Sequence, residues 1–470
     1  MPEVGTPARP LRVAIVGAGP AGYYAAEALL RRDDVVAEVD VLDRLPTPYG
    51  LVRAGVAPDH QKIKAVTAAF DRVAAHPRFR FFGCIDLGDD VTVDDLRSHY
   101  HQIVYTTGAQ TDRHMGIPGE DLARSHPATE FVGWYNGHPG YRDHVFDLSQ
   151  ERVAVVGVGN VAVDVARILC RTPAELETTD IAEHALEALR ASRVREVFLL
   201  GRRGPAQAAF TNPEVKELGE MPGADVIVRP DEVALDAVSA EALERAGDRG
   251  TRKKVDILQA YAGRRPGGRP RRLVLRFLVS PVALVDDGNG GVGAIRLARN
   301  RLVATPTGSL QAEPTGEVES LPVGLVFRSV GYRGVALPGV PFEERWGVIL
   351  NEKGRVLEPA TKTPRVGEYT AGWIKRGPSG VIGTNKPDAV ETVAAMVEDA
   401  AAGRTLRPAA ATAVAAERLM RERVPHCVAY DDWRRLDALE VERGRALGRP
   451  RLKFTRVKEM LDALGGAGGE

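Results

Sequence analysis

Cysteine is scarce. The 470-residue chain has three, Cys84, Cys170 and Cys427, far apart and odd in number. A disulfide framework, a cysteine-rich metal cluster and a C-x-x-C or C-x4-C redox pair are thereby excluded, and no metal site is expected. Net charge is also missing, since 63 Lys and Arg balance 63 Asp and Glu. A general nucleic-acid binder and an acidic solvating tail are ruled out, so any electrostatic steering has to come from local patches. Charges or Asn break every apolar run well before the roughly 18 residues needed to span a bilayer. The first ten residues hold no apolar core of a signal peptide, and a reduced, cytoplasmic protein is the expectation. What the composition does supply, 44% apolar and 27% charged residues, fits a globular chain long enough for two packed domains.

Leu11 to Val16 reads as a buried parallel strand that empties into Gly17-Ala18-Gly19-Pro20-Ala21-Gly22, ahead of the helical stretch Tyr23 to Arg32. Between a strand and a helix, G-x-G-x-x-G is a nucleotide-binding signature. Gly17 permits the tight turn, Gly19 lets a pyrophosphate touch the backbone, and Gly22 lets helix and strand pack closely. The anion would sit on the positive end of the helix. The next strand, Ala37 to Leu42, ends in Asp43, placed to accept a hydrogen bond from an adenosine ribose.

A second copy follows. Arg152 to Val156 leads into Gly157-Val158-Gly159-Asn160-Val161-Ala162 and the helical stretch Val163 to Cys170. Two such turns imply two nucleotides. After the next strand, Val194 to Leu200, stands Gly201-Arg202-Arg203-Gly204 in place of an acid. Paired guanidiniums suit a 2'-phosphate, so the second nucleotide is expected to be NADPH.

Pro46 to Lys62 carries too many breakers for a long helix or strand, and such segments line ligands or domain junctions. Ile103 to Ala109 is a strand ending in small residues. Glu368 to Asn385 is Gly-rich and precedes a helix predicted from Pro387 to Ala401, with Pro387 at its first position and Asp388 in its first turn. Four stretches, PTPYGLVRAGVAPDHQKIK, GVGNVAVDVAR, GRRGPAQAAFTNPEVKEL and AGWIKRGPSGVIGTNKPDA, resemble the adrenodoxin-reductase-type ferredoxin-NADP reductases and their bacterial members. The likeness runs in order from Leu11 to about Lys453.

The resemblance implies an α/β fold of two Rossmann-like dinucleotide-binding domains, a glutathione-reductase-like FAD/NADP architecture without a dimerisation domain. The FAD domain is expected at 1 to 110 and 325 to 470, the NADP domain at 111 to 324, and the chain is expected to be a monomer. FAD would be lined by Gly17, Gly19, Pro20, Ala21, Gly22, Asp43, Arg44, Gly50, Leu51, Val52, Thr107, Gly108 and Gly372. Trp373 and Gly380, Val381 and Ile382 would contact its isoalloxazine. Gly157, Gly159, Asn160, Val161, Arg202, Arg203 and Glu214 would hold NADPH. Taken alone, His60 after Asp59 reads as a capping histidine and Glu214 as an ordinary first-turn acid; the family pattern places both, as catalytic residues, at the flavin-nicotinamide junction.

A hydride donor and a one-electron iron-sulfur acceptor need a flavin to connect them. The implied partner, an acidic ferredoxin docking transiently, calls for a basic face. Arg249 to Arg276 offers ten Lys or Arg against Asp256 alone, with Arg264 to Arg272 reading as the turn of a hairpin. Rivals fare worse. Disulfide reductases need a cysteine pair, and a glutamate-synthase-like subunit needs cysteine clusters. A flavin monooxygenase needs F-x-G-x-x-x-H, where Phe131 to His138 sets the histidine one position late. An FAD-stabilised binding protein needs no second turn. A diaphorase or quinone reductase uses the same machinery and stays open as an alternative.

Overall fold

In the computed structural model, which describes residues 3–306 and 308–465, every residue of strand β1 (Leu11–Val16) is buried. Its β-branched side chains suit a sheet covered on both faces. The turn after it feeds helix α1 (Pro20–Leu30), and β2 (Ala37–Asp43), β3 (Phe79–Gly83) and β4 (Gln102–Tyr105) complete the first run of parallel strands. β1 lies between β2 and β4, so the first glycine turn occupies the point where strand order reverses.

One charge sits inside this sheet. Arg12 in β1 is 2% exposed and donates to Glu38 and, at 2.6 Å, to Asp40. Asp40 also accepts from Arg80 and from the Tyr100 hydroxyl at 2.8 Å. A buried guanidinium persists when carboxylates compensate its charge in this way, although the Arg12 Nε has no hydrogen-bond partner among the described residues.

Crossing into a second unit, the chain forms β5 (Ser125–Pro127), β6 (Arg152–Val156), α2 (Asn160–Cys170), β7 (Glu196–Leu200), α3 (Asn212–Leu218), β8 (Ala224–Val228), α4 (Arg249–Ala262) and β9 (Arg271–Arg276). A three-stranded antiparallel sheet follows from β10 (Val279–Asp286), β11 (Val292–Ala304) and β12 (Leu310–Pro322). Then β13 (Leu325–Arg328) inserts beside β6, with Leu325 opposite Val153, giving a six-stranded parallel sheet in the order β5-β13-β6-β7-β9-β8. The first unit resumes with β14 (Asn351–Glu352), β15 (Arg355–Leu357), β16 (Pro364–Thr370) and helix α5 (Asn385–Ala401), and its seven-stranded sheet runs β14-β15-β16-β4-β1-β2-β3.

By contacts, one unit comprises the chain up to Thr111, Asn136–Pro139 and everything from Tyr332; the other comprises Asp112–Tyr135 and Gly140–Gly331. The return therefore falls at Tyr332 and not at 325, because β13 takes its hydrogen bonds from β5 and β6. Arg264 to Arg272 is likewise no hairpin turn. It connects α4 to β9, which runs parallel to both β7 and β8. Past α5 come three helices, Ala413–Arg423, Tyr430–Arg445 and Val457–Ala463, and Trp433 is a core residue at 3% exposure. Among the described residues no helix is long and apolar enough to cross a membrane.

Candidate active site

The first glycine turn is shaped by what surrounds it. Gly17 has φ +109, and a Cβ there would stand 2.8 Å from the Thr106 carbonyl oxygen. A Cβ on Gly22 would lie 2.2 Å from the Gly17 oxygen, so helix and strand approach as closely as glycine allows. Beside Gly19 a Cβ would meet nothing within 4 Å. That open space lies over the first N–H groups of α1, an arrangement that can receive an anion. Pro20 fills the first helical position, and Ala21 behind it is buried.

Residues distant in sequence complete this cradle. Thr106 sends its hydroxyl to the Gly17 oxygen at 2.7 Å, and Gly108 takes φ +74 with open space beside it. Thr107 is half-buried between them. The breaker-rich segment folds onto the turn, with the Tyr49 N–H donating to the Ala18 oxygen at 2.8 Å. Gly50 has φ +48 and its Cβ position is 3.0 Å from the Gly19 Cα. Leu51 is 43% exposed, whereas the Val52 side chain is buried in the core. Asp43 is half-buried; one carboxylate oxygen accepts from the Ala18 N–H at 2.9 Å and the other from the Leu45 N–H at 3.0 Å. Burial pushes its pKa up, opposed by those two N–H groups. Arg44 next to it is exposed.

The Gly-rich C-terminal segment reaches the same cradle. Gly372, φ +82, would place a Cβ 2.6 Å from that of Ala21, and its N–H donates to Asp388 in the first turn of α5. The helix starts at Asn385, two residues before Pro387, because the preceding turn Ile382–Thr384 runs straight into it. Trp373 is half-buried, stacks on Tyr332 with ring centroids 5.6 Å apart, and donates its indole N–H to the Ser379 oxygen at 3.1 Å. Buried Lys375 binds Asp388 at 3.0 Å and Glu391 at 2.7 Å. Arg376 donates to the Ser379 oxygen at 2.6 Å and to Asn385 at 2.9 Å. Gly380 and Val381 are thereby presented at the surface, with Ile382 partly covered. Thr106, Lys375 and Tyr332 escaped the sequence reading, since each works through a partner that local pattern does not reveal.

Within the second unit the turn repeats with different neighbours. Gly157 has φ +130 and a Cβ position 2.2 Å from the Ser329 oxygen; Gly159 again faces open space. The Asn160 side-chain oxygen accepts from the Thr211 N–H at 2.9 Å, and the Val158 oxygen accepts from Ala209 and Phe210. These bonds tie the segment ahead of α3 to the turn. Val161 is half-buried and packs against the core.

Arg202 is exposed and Arg203 half-buried, and no side-chain hydrogen bond or ion pair joins either to a described residue. Burial, then the charge of Arg202, lowers the pKa of Arg203. The two adjacent cations are therefore uncompensated by any anion of the described residues, and such a pair can receive one. Glu214, in the first turn of α3, is 7% exposed and accepts from Arg167 at 3.3 Å. Arg167 is fully buried and also binds Asp164 at 2.7 Å. A charged pair spaced i, i+3 inside the apolar run of α2 was the available signal for this partner. His60 sits in the first unit, half-buried, where its carbonyl starts the short helix Gln61–Lys64.

All three cysteines are buried as free thiols. Cys84 and Cys427 flank the bridge between Gly83 and Val428, but burial pushes both thiols up to about 12, as it does Cys170. Phe131 to Tyr135 lies in a buried helix, Ala128–Tyr135.

Comparison with known proteins agrees with this geometry. Residues 11–269 match the pyridine nucleotide-disulphide oxidoreductase family. The NADPH-ferredoxin reductase FprA of Mycobacterium tuberculosis is 45% identical over 463 residues, covering 96% of this chain and 99% of that protein. The mitochondrial NADPH:adrenodoxin oxidoreductase of Arabidopsis thaliana is 40% identical over 466 residues, covering 97% and 95%. The solved structure of Mycobacterium tuberculosis FprA in complex with NADPH superposes with a TM-score of 0.91 at 44% identity, covering 97% of this chain and 100% of that one. With both glycine turns, the arginine pair and the C-terminal flavin-type segment in place, the chain belongs to the pyridine nucleotide-disulphide oxidoreductase family, among the ferredoxin-NADP reductases related to adrenodoxin oxidoreductase.

Proposed function

We propose that this chain is a cytoplasmic NADPH-ferredoxin reductase that holds FAD in its first unit and NADPH in its second, and that docks transiently with an acidic iron-sulfur protein. The observation that carries the reading is the asymmetry of the two turns. Each leaves its middle glycine open for a pyrophosphate, but the strand after the first ends in Asp43, whereas the strand after the second is followed by unpaired Arg202 and Arg203. When bound, FAD accepts a hydride and releases its electrons one at a time.

The rest is the work of the polypeptide. Gly17 to Gly22 and Gly50 hold one pyrophosphate, Asp43 faces the ribose, and the clamped segment from Gly372 to Ile382 with Trp373 sets the ring edge. Gly157, Gly159, Asn160 and Val161 hold the second pyrophosphate, with Arg202 and Arg203 on the 2'-phosphate. His60 and Glu214 orient the nicotinamide and hold protons, and Arg167 keeps the Glu214 carboxylate in place. Their loss slows hydride transfer without abolishing it.

The docking face is narrower than the run of ten cations. Arg264 covers the Tyr261 ring and donates to the Gly219 oxygen, Arg269 binds Asp225 and nearby carbonyls, Arg271 caps carbonyls, Arg272 binds Glu196, Arg276 binds Glu232, and Lys254 holds the Ala208 oxygen. Exposed Arg249, Arg252, Lys253 and Arg265 remain to steer an acidic partner.

Anaerobic titration of the purified yellow protein tests the core of this reading. NADPH should bleach the flavin at far lower concentration than NADH, and Arg203→Leu should erase most of that preference. A colourless protein that binds neither coenzyme refutes it. Cytochrome c reduction through an added ferredoxin should fall steeply with salt; indifference to salt would remove the docking face alone.

A further inference from the structure

The arginine pair is held by its main chain. Gly201, Arg202 and Arg203 follow β7, and the carbonyl of each is taken by a donor at or next to the start of β10 or within β11. The Val279 N–H binds the Gly201 oxygen at 3.1 Å, and the Leu278 N–H, from a residue at φ +58, binds the Arg203 oxygen at 3.2 Å. The carbonyl between them is held by a side chain. Asn300 Nδ2 donates to the Arg202 oxygen at 2.8 Å, and to Ser280 Oγ at 2.8 Å.

Asn300 is 4% exposed, and its own N–H binds the Leu278 oxygen at 2.7 Å. It stands at the irregularity in β11 where pairing with β12 shifts between Ala298 and Asn300. The antiparallel sheet is thus latched to the loop by two backbone bonds that any residue can make and one that needs this amide.

Buried amides are retained where their hydrogen bonds have to be met, and few other side chains can give two donors here. The guanidiniums themselves are left without partners, as a seat for a dianion requires. Fixing the backbone beneath two repelling cations before the ligand arrives removes an ordering penalty from binding.

We infer that Asn300 is a positioning residue for NADP(H) selectivity, which sets the Arg202-Arg203 pair against the 2'-phosphate without touching the coenzyme. The inference rests on the proposed assignment of that pair to the 2'-phosphate.

The test is Asn300→Ala, with Ser280→Ala and Arg203→Leu beside it, in the flavin-containing protein. Loss of one net hydrogen bond corresponds to about a fivefold change in an equilibrium. Asn300→Ala should raise KM for NADPH about fivefold while KM for NADH and kcat with either coenzyme stay within about twofold. Ser280→Ala, which leaves the Arg202 contact intact, should shift KM for NADPH less, in the same direction. A purely structural role would move both coenzymes alike. Equal changes with NADPH and NADH, or none, overturn the inference provided Arg203→Leu does lower the preference for NADPH. If Arg203→Leu also leaves the preference untouched, the assignment of the arginine pair fails and the role of Asn300 fails with it. Should Asn300→Ala prove unstable, Asn300→Ser keeps a smaller donor and should raise KM for NADPH less than about fivefold with KM for NADH unchanged, and a wild-type KM ratio in that variant overturns the inference too.

Discussion

Gly159 and Gly157 stand two residues apart in one turn, and an added methyl should separate ligand binding from folding there. Gly159 has φ −99 and ψ 174, extended backbone that alanine adopts freely, and nothing lies within 4 Å of its Cβ position. Gly159→Ala should therefore keep or raise stability, by about 0.4–1 kcal/mol through a less disordered unfolded chain. The same methyl enters the space over the first N–H groups of α2. Displacing one charge-assisted hydrogen bond to phosphate there removes about 1.5–3 kcal/mol, a rise in KM for NADPH of about 10- to 150-fold. Gly157 is the opposite case. Its φ of +130 strains any other residue, and its Cβ position is 2.2 Å from the Ser329 oxygen, a main-chain atom that cannot swing aside. Strain of about 1–2 kcal/mol and overpacking of about 1–3 kcal/mol should lower the unfolding temperature of Gly157→Ala by several degrees. Circular-dichroism melts and NADPH titrations of flavin bleaching read the two effects. Gly159→Ala with native KM, or with a melting loss like that of Gly157→Ala, would refute the reasoning.

Removing the buried charge in β1 should be expensive: Arg12→Met leaves Glu38 and a partly compensated Asp40, and urea unfolding should show a loss of about 3 kcal/mol, with an unchanged midpoint as the contrary result. Acid should destabilise the fold through His101 and His126, whose pKa values burial lowers to about 4. The unfolded chain binds those protons first, so their contribution is intact above about 6.5 and declines as pH falls toward 4, by about 1.4 kcal/mol per pH unit for each; His126→Phe should flatten that slope. Cys84, Cys170 and Cys427 should resist iodoacetamide at pH 8 until the protein is unfolded, and rapid labelling of the native protein would contradict their burial.

The glycine turns were legible because their chemistry is local. A tight turn and a close approach demand glycine at fixed offsets from a strand, whatever lies elsewhere. The ends of elements were less so. Whether Leu325–Arg328 joins one sheet or the other depends on its register against Val153 to Val156, and its apolar pattern suits either. The start of α5 was displaced to Pro387 because proline is a strong first-turn signal, while the turn that carries the helix back to Asn385 has none. Arg12 and Arg167 are buried by partners many residues away, and only their odd placement in apolar runs hinted at it.

On the proposed assignment, the same turn, built twice, acquires two specificities from the residues at or just past the end of the strand that follows it. Asp43 leans back onto its own turn, with one oxygen on the Ala18 N–H, so the acid and the pyrophosphate seat form a single hydrogen-bonded piece. Arg202 and Arg203 cannot do this, because a guanidinium has no acceptor to offer the N–H groups of a turn. Their backbone must be anchored from elsewhere, and the antiparallel sheet supplies that anchor through Leu278, Val279 and Asn300. If Arg202 and Arg203 take the 2'-phosphate as proposed, a change from acid to arginine at this position is insufficient by itself to convert a site for a bare ribose into one for a phosphorylated ribose. On that assignment the loop has to be held at its carbonyls as well, and the residues that hold it lie roughly 75 to 100 positions further along the chain.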